Sequence, residues 1–178
     1  VNKYDSDVIA AMMKESGFEQ SPTPEADIFV INSCTVTETS DKKAKRTVER
    51  IRRSSPDAVI VLTGCFSQAF PEQAAKTSAD IVVGVADRNK IPRLIAEFLK
   101  SRQKISLCSQ HSSEYDDMGI PALTDKTRAY IKIEDGCNRF CSYCIIPYAR
   151  GRVRSRPLAD IRRELEALAA KGYKEVVL

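Results

Sequence analysis

The sequence predicts an α/β fold in two pieces. Residues 1–100 read as a doubly wound parallel sheet domain, and residues 129–178 as the first βαβ unit of a larger, incomplete parallel barrel. Three observations predict this. Short apolar runs of strand type alternate with amphipathic helical segments over the first hundred residues, the pattern of a parallel sheet covered on both faces. A polar, serine-rich stretch follows at 101–128, long enough without structure to be a linker. One strand, one helix and one further strand then close the chain, too little to enclose a core. The barrel is therefore expected to be truncated here.

In order, Val8, Ile9, Met12 and Met13 put apolar groups on one side of an opening helix. "DIFVIN" (27–32), "AVIVLT" (58–63) and "DIVVG" (80–84) are short apolar strands. Between the first two, Ala44, Val48 and Ile51 recur at i, i+4 and i+7 on a helix. Pro71 and Pro92 stand where first helical turns begin, and Leu94, Ile95, Phe98 and Leu99 form the inward face of the second of these helices. Past the linker, "AYIKI" (129–133) and "KEVVL" (174–178) are strands. Pro157 opens the helix between them, with Ile161, Leu165, Leu168 and Ala169 on one face.

At 178 residues, with 43% hydrophobic and 29% charged residues, the chain has the composition of a globular protein rather than a disordered or collagen-like one. No apolar run approaches the roughly 18–20 residues needed to span a bilayer, so no membrane role is expected. No secretion signal is read at "VNKYDSDVIA", which makes a cytoplasmic location the expectation. Thiols stay reduced there, and grouped cysteines point to metal or redox chemistry. The net charge of +4 is too small to establish nucleic-acid binding by itself. The single histidine, His111, lies in a polar stretch, which argues against catalysis by a histidine base.

Cys137, Cys141 and Cys144 put three of the six cysteines into eight residues, spaced C-x3-C-x2-C. Three thiolates on one tight loop can hold three corners of a cubic iron–sulfur cluster and leave the fourth iron open. The alternative is a zinc site completed by Cys108 or His111, although zinc usually takes cysteines in C-x2–4-C pairs with a longer spacer. Cys34 and Cys65 each end an apolar strand, and in a parallel sheet those ends share the edge where ligands bind. A lone strand-end cysteine is most simply a buried core residue; two in matching positions favour a site.

Arg150, Arg152, Arg154 and Arg156 alternate. In an extended segment that period points all four guanidinium groups to one side, where they would suit RNA phosphates. The competing reading has them bind a cofactor carboxylate or buttress the cysteine loop. Lys42, Lys43, Lys45, Arg46, Arg50, Arg52 and Arg53 make a basic helix face that is either a solvated surface or a second RNA contact. Glu134 and Asp135 flank the cysteine loop, and Asn138 is placed to bond backbone within it.

The three-cysteine loop, with Tyr143 before its last thiol and "AYIKIEDG" as the strand ahead of it, resembles the radical S-adenosylmethionine superfamily. The resemblance implies a 4Fe–4S cluster whose open iron is chelated by S-adenosylmethionine, and reductive cleavage of that cofactor to a 5′-deoxyadenosyl radical. It puts Tyr143 beside the adenine, against the plain alternative of an aromatic that packs the loop. "INSCTVTETSDKKAKRTVERIRR", "IVLTGCFSQ", "DIVVG" and "EDGCNRFCSYCIIPYARGRVRSR" together are similar to the methylthiotransferases of the MiaB, RimO and MtaB group, in order and over the whole chain. That family implies a second 4Fe–4S cluster on three amino-terminal cysteines. Two match Cys34 and Cys65, and the third belongs to a G-C-x-x-N segment that would precede "VNKYDSD". "VNKYDSD" with "CTVTETSDKKAKR" most resembles the MtaB type. The resemblance then implies methylthiolation at carbon 2 of N6-threonylcarbamoyladenosine in the tRNA anticodon stem-loop, with an electron donor such as flavodoxin. The same chemistry on isopentenyladenosine, or on an aspartate of a ribosomal protein, stands as the alternative. A zinc-stabilised RNA-binding module is the alternative of another class. A chain of this extent is expected to be inactive alone.

Overall fold

Runs such as Val59–Gly64, which is apolar over its first four positions and buried along its whole length, fold as central strands because both of their faces find cover. The computed structural model describes residues 2–116, 119 and 128–178. Its larger part is a four-stranded sheet of β1 (Ile28–Ser33), β2 (Val59–Gly64), β3 (Ile81–Val83) and β4 (Ile105–Leu107), all parallel and in the order β1-β2-β3-β4. Successive residues of β2 point to opposite faces. Val59 and Val61 pack with Ile9 of α1 (Asn2–Glu15) and with Leu94, Ile95 and Phe98 of α5 (Ile91–Ser101). Ile60 and Leu62 pack on the other side with Ala44 and Val48 of α2 (Glu38–Ser54) and Phe66 of α3 (Cys65–Ala69), beside Ala74 of α4 (Pro71–Ala75). The sheet is thus a layer between helices, as the alternating pattern predicts.

α2 begins where Thr37 accepts a hydrogen bond from the Ser40 N–H, 3.2 Å, the usual role of an N-cap hydroxyl. Pro71 and Pro92 stand in the first turns of α4 and α5. The inward face of α5 is narrower than expected: Leu94, Ile95 and Phe98 are buried, while Leu99 is 45% exposed. The predicted linker also changes extent. Residues 105–107 pair with β3 in the register Ile81↔Ile105 and Val83↔Leu107, so the sheet takes in the first part of that stretch as a half-buried edge strand. Much of the remainder, 117–118 and 120–127, lies outside the described residues.

The smaller part starts with β5 (Arg128–Tyr130), parallel to β8 (Glu175–Val177), and a two-residue antiparallel ribbon of β6 (Glu134–Asp135) and β7 (Arg154–Ser155). Between the ribbon strands run the cysteine loop and α6 (Ile146–Arg150), and α7 (Leu158–Ala170) leads back to β8. The strand expected over 129–133 is therefore split: Ile131 and Ile133 turn inward with Ala129 and Leu168 to form a small core. On α7 the buried positions are Glu164 and Leu168, while Leu165 and Ala169 are exposed. The helix is rotated from the purely apolar face because Glu164 is needed underneath, where Arg156 and Tyr4 reach it. Among the described residues no helix is long and apolar enough to cross a membrane.

Candidate metal centre

Two groups of cysteines stand at strand ends. In the first, β1 and β2 run in register to the pair Ser33↔Gly64, and Cys34 and Cys65 are the next residue on each strand. Gly64 makes this approach possible. Its φ is +100°, and a Cβ there would lie 2.3 Å from the Ser33 carbonyl oxygen, a contact no side chain can keep. Cys65 is buried and Cys34 half-buried. Both thiols are free.

The second group is the loop after β6. Gly136 repeats the device, with φ +88° and a Cβ position 2.1 Å from the Arg152 carbonyl oxygen. Cys137 N–H donates to the Gly151 carbonyl at 3.0 Å and Cys144 N–H to the Cys141 carbonyl at 2.9 Å. Asn138 Oδ1 accepts from the Val153 N–H at 3.1 Å, as its turn position suggests. Cys141 is exposed, Cys137 and Cys144 are half-buried, and none is spent in a disulfide. Tyr143 is 90% exposed and so does not pack the loop. Among the described residues no three His, Cys, Asp or Glu side chains are gathered closely enough to hold a metal ion. What fits an iron–sulfur cluster is the donor chemistry, three free thiols on an open, backbone-anchored loop. The two residues offered as completing a zinc site are engaged elsewhere. Cys108 Sγ lies 3.4 Å from the Ser67 carbonyl, and its thiol is pushed up to about 11 by burial and then by the neighbouring Asp87. The His111 ring bonds the Ala149 carbonyl at 3.2 Å and is held below its usual range by burial and by Arg154.

The arginines after the loop are corrected by the structure. Arg150 closes helix α6, Gly151 turns the chain with φ +75°, and only Arg154 of the four lies in a strand. The period-two argument fails because the segment is not extended throughout. Arg150, Arg154 and Arg156 are buried, and only Arg152 is exposed, its guanidinium 5.2 Å from the Phe140 ring centroid. Arg156 pairs with Glu164 and donates to the Tyr4 hydroxyl at 3.3 Å. The buttressing alternative describes these side chains better than an RNA-facing row. The basic face of α2 is also partly committed. Arg52 bonds the Pro56, Ala58 and Ser78 carbonyls and Asp80, and Lys45 stands 5.2 Å over the Phe66 ring.

The group that residue-by-residue reading missed joins the two cysteine sites. Asp5, in the first turn of α1, lies 2.8 Å from Arg88, 3.0 Å from Lys132 and 2.7 Å from Arg150. Asp135 pairs with Lys132 and, at 3.2 Å, with Arg150, and also accepts from the Gly136 N–H. Arg150 Nε donates to Cys65 Sγ at 3.1 Å. Burial alone would raise both carboxyls; the surrounding cations more than offset it and hold them below the usual range. No local signal in the sequence marks this cluster, since its members lie as much as 145 residues apart.

Residues 1–84 match the family model described as "Uncharacterized protein family UPF0004", and residues 131–178 match the radical SAM superfamily. The chain is 43% identical over 182 aligned residues to the threonylcarbamoyladenosine tRNA methylthiotransferase MtaB of Bacillus subtilis, covering 100% of this chain and 40% of that protein. It is 37% identical to the protein of the same name from Thermotoga maritima, over 100% of this chain and 41% of that one. A tRNA-2-methylthio-N(6)-dimethylallyladenosine synthase of Carboxydothermus hydrogenoformans is 34% identical, over 100% and 42%. The chain thus spans about two fifths of the length of these curated relatives.

Proposed function

The chain belongs to the radical SAM methylthiotransferases, and from that premise we propose that it is the cysteine-bearing part of an enzyme that attaches a methylthio group to carbon 2 of N6-threonylcarbamoyladenosine, next to the anticodon of tRNA. The observation that supports this best is the pairing of Cys34 and Cys65 at one sheet edge with the Cys137, Cys141 and Cys144 loop packed against it through Arg150. When bound, two 4Fe–4S clusters and S-adenosylmethionine supply the one-electron and methyl-transfer chemistry.

The residues of this chain hold and orient. Cys137, Cys141 and Cys144 would hold one cluster, beside the site of S-adenosylmethionine. Tyr143, free of contacts that would pin it to the loop, offers a flat face to the adenine. Cys34 and Cys65 would provide two ligands for the other cluster. Arg152 is the member of the arginine row left to meet RNA phosphate, with Lys43, Arg46, Arg50 and Arg53 exposed on α2. A flavodoxin-type electron donor and a cytoplasmic location, where the substrate RNA would be met, are part of the same proposal.

Two measurements test the reading. The first is mass spectrometry of tRNA nucleosides from a strain lacking the complete gene. Loss of the 2-methylthio group from threonylcarbamoyladenosine is expected. Loss from dimethylallyladenosine instead would favour the second reading, which the 34% identical relative supports. Unaltered tRNA would overturn both. The second is iron and zinc content after anaerobic reconstitution. An iron content that falls by one cluster's worth, about four atoms, on Cys137→Ala, Cys141→Ala and Cys144→Ala together is expected; stoichiometric zinc without iron would sink the radical chemistry.

A further inference from the structure

Within the ion-paired cluster of Asp5, Asp135, Arg88, Lys132 and Arg150 at the junction of the two parts, cations outnumber carboxylates. Asp5 and Asp135 bring two negative charges; Arg88, Lys132 and Arg150 bring three positive ones. These side chains are only 3–8% exposed, so solvent does little to offset the surplus. A buried net charge is costly unless an anion meets it. Arg88 and Lys132 spend their charge on the two carboxylates. Arg150 reaches the same carboxylates through Nη1 and turns Nε to Cys65 Sγ. The atom that Arg150 Nε faces is a sulfur.

On the reading that Cys34 and Cys65 hold an iron–sulfur cluster, we infer that Arg150 is a positioning residue for that cluster: it fixes the Cys65 sulfur by a hydrogen bond and sets the surplus positive charge beside it, which raises the cluster's reduction potential. Hydrogen bonds to ligand sulfurs and nearby charge are among the main levers on such potentials. A cation favours the reduced state because that state carries one more negative charge. The arrangement also couples the two sites. Arg150 lies six residues after Cys144, on the helix that follows the three-cysteine loop, so the loop of one site carries the donor to the other.

The test uses the complete gene product with Cys137, Cys141 and Cys144 changed to Ala, so that one cluster remains, read by iron content and by redox titration followed with electron paramagnetic resonance. Arg150→Met removes charge and donor, Arg150→Lys keeps the charge without the Nε donor, and Asp5→Asn enlarges the positive surplus. The midpoint potential is expected to fall in Arg150→Met, to fall less in Arg150→Lys and to rise in Asp5→Asn. A purely structural role damages the same interface in every case and moves the variants in one direction. Parallel shifts, or no shift, with iron retained would therefore overturn the role of Arg150 alone. Should Arg150→Met fail to fold, the opposite signs for Arg150→Lys and Asp5→Asn carry the same decision. A parent protein without iron would overturn the ligation reading, and the inference with it.

Discussion

The two cysteine sites use one backbone device in opposite surroundings. Each follows a strand with a Gly–Cys step, Gly64–Cys65 and Gly136–Cys137, in which the glycine takes a positive φ and lets two backbone segments touch. At the first, the sheet, α3 and the Asp5–Arg150 cluster close over the thiol, and Cys65 is 4% exposed. At the second, Cys141 and Tyr143 face solvent. The same turn therefore builds a covered site, where ligands are fixed and the protein's own charges act on sulfur, and an open one, to which a diffusible cofactor has access. Enclosure, not the local turn, separates the two cysteine sites.

Substituting the two glycines should give the largest difference between the sites. Gly64→Ala places a methyl 2.3 Å and 2.7 Å from backbone atoms of Ser33, in paired strands that cannot separate without losing the ladder. A loss above about 4 kcal/mol is expected, the exceptional end of single substitutions, because overpacking adds to the backbone strain. Gly136→Ala meets the Arg152 carbonyl of a two-residue ribbon, which can shift. It should cost about 1–3 kcal/mol and abolish iron at the loop while amide exchange in β2 stays unchanged. Equal losses of global stability in urea unfolding would break the contrast.

Next in size is the acid response of the covered site. The Asp5 carboxyl faces Arg88, Lys132 and Arg150, with Asp135 nearby, and is held below its ordinary range. Its contribution is thus fully present above the unfolded value of about 3.9. It is lost as pH falls from there through the lower folded value, because the unfolded chain takes up the proton first. Asp5→Asn should cost about 3 kcal/mol at pH 7 and flatten the acid limb of stability below about pH 4. An acid limb unchanged by the substitution would place the sensitivity elsewhere.

Much of this contrast was readable from residue order, and the rest was hidden for identifiable reasons. Consecutive apolar residues made β1, β2 and β3 legible, and thiol spacing made both cysteine groups legible as groups. β4 was missed because an edge strand shows only alternation, and Ile105–Ser106–Leu107 is too short a sample within a serine-rich stretch. The arginine row misled because its period was read as strand while Arg150 ends a helix. The charges of Arg150 and Arg156 are answered by Asp5, Tyr4 and Glu164, partners that only folding brings near. Likewise an apolar stripe over Leu165 and Ala169 was the natural expectation for α7. Burying Glu164 reverses it, since nothing local says that a carboxylate will be met by an arginine from the turn before.

Thiol reactivity in the metal-free protein should grade the two sites. At pH 8, iodoacetamide should label Cys141 first, with Cys65 protected by burial. Cys108 should lag well behind, since burial and Asp87 push its thiol to about 11 and the reactive species is the thiolate. Rapid labelling of Cys65 by peptide mass mapping would show that the covered site opens on its own.

Tyr143 gives the smallest effect on stability and the sharpest reading of the open site. At 90% exposure it contributes little buried area, so Tyr143→Ala should alter the free energy of unfolding by no more than about 0.5 kcal/mol, the range of surface substitutions. If the ring is there to meet an adenine, the loss appears only when the cofactor is present. Binding of S-adenosylmethionine to the reconstituted gene product should weaken about tenfold, a stacking contribution near 1.4 kcal/mol, while Tyr143→Phe keeps it. A ring that served the loop instead would lower iron retention and leave cofactor affinity per cluster unchanged. The phenylalanine variant separates the flat face from the hydroxyl, and so tests whether the open site recognises a π-surface or a hydrogen-bonding group.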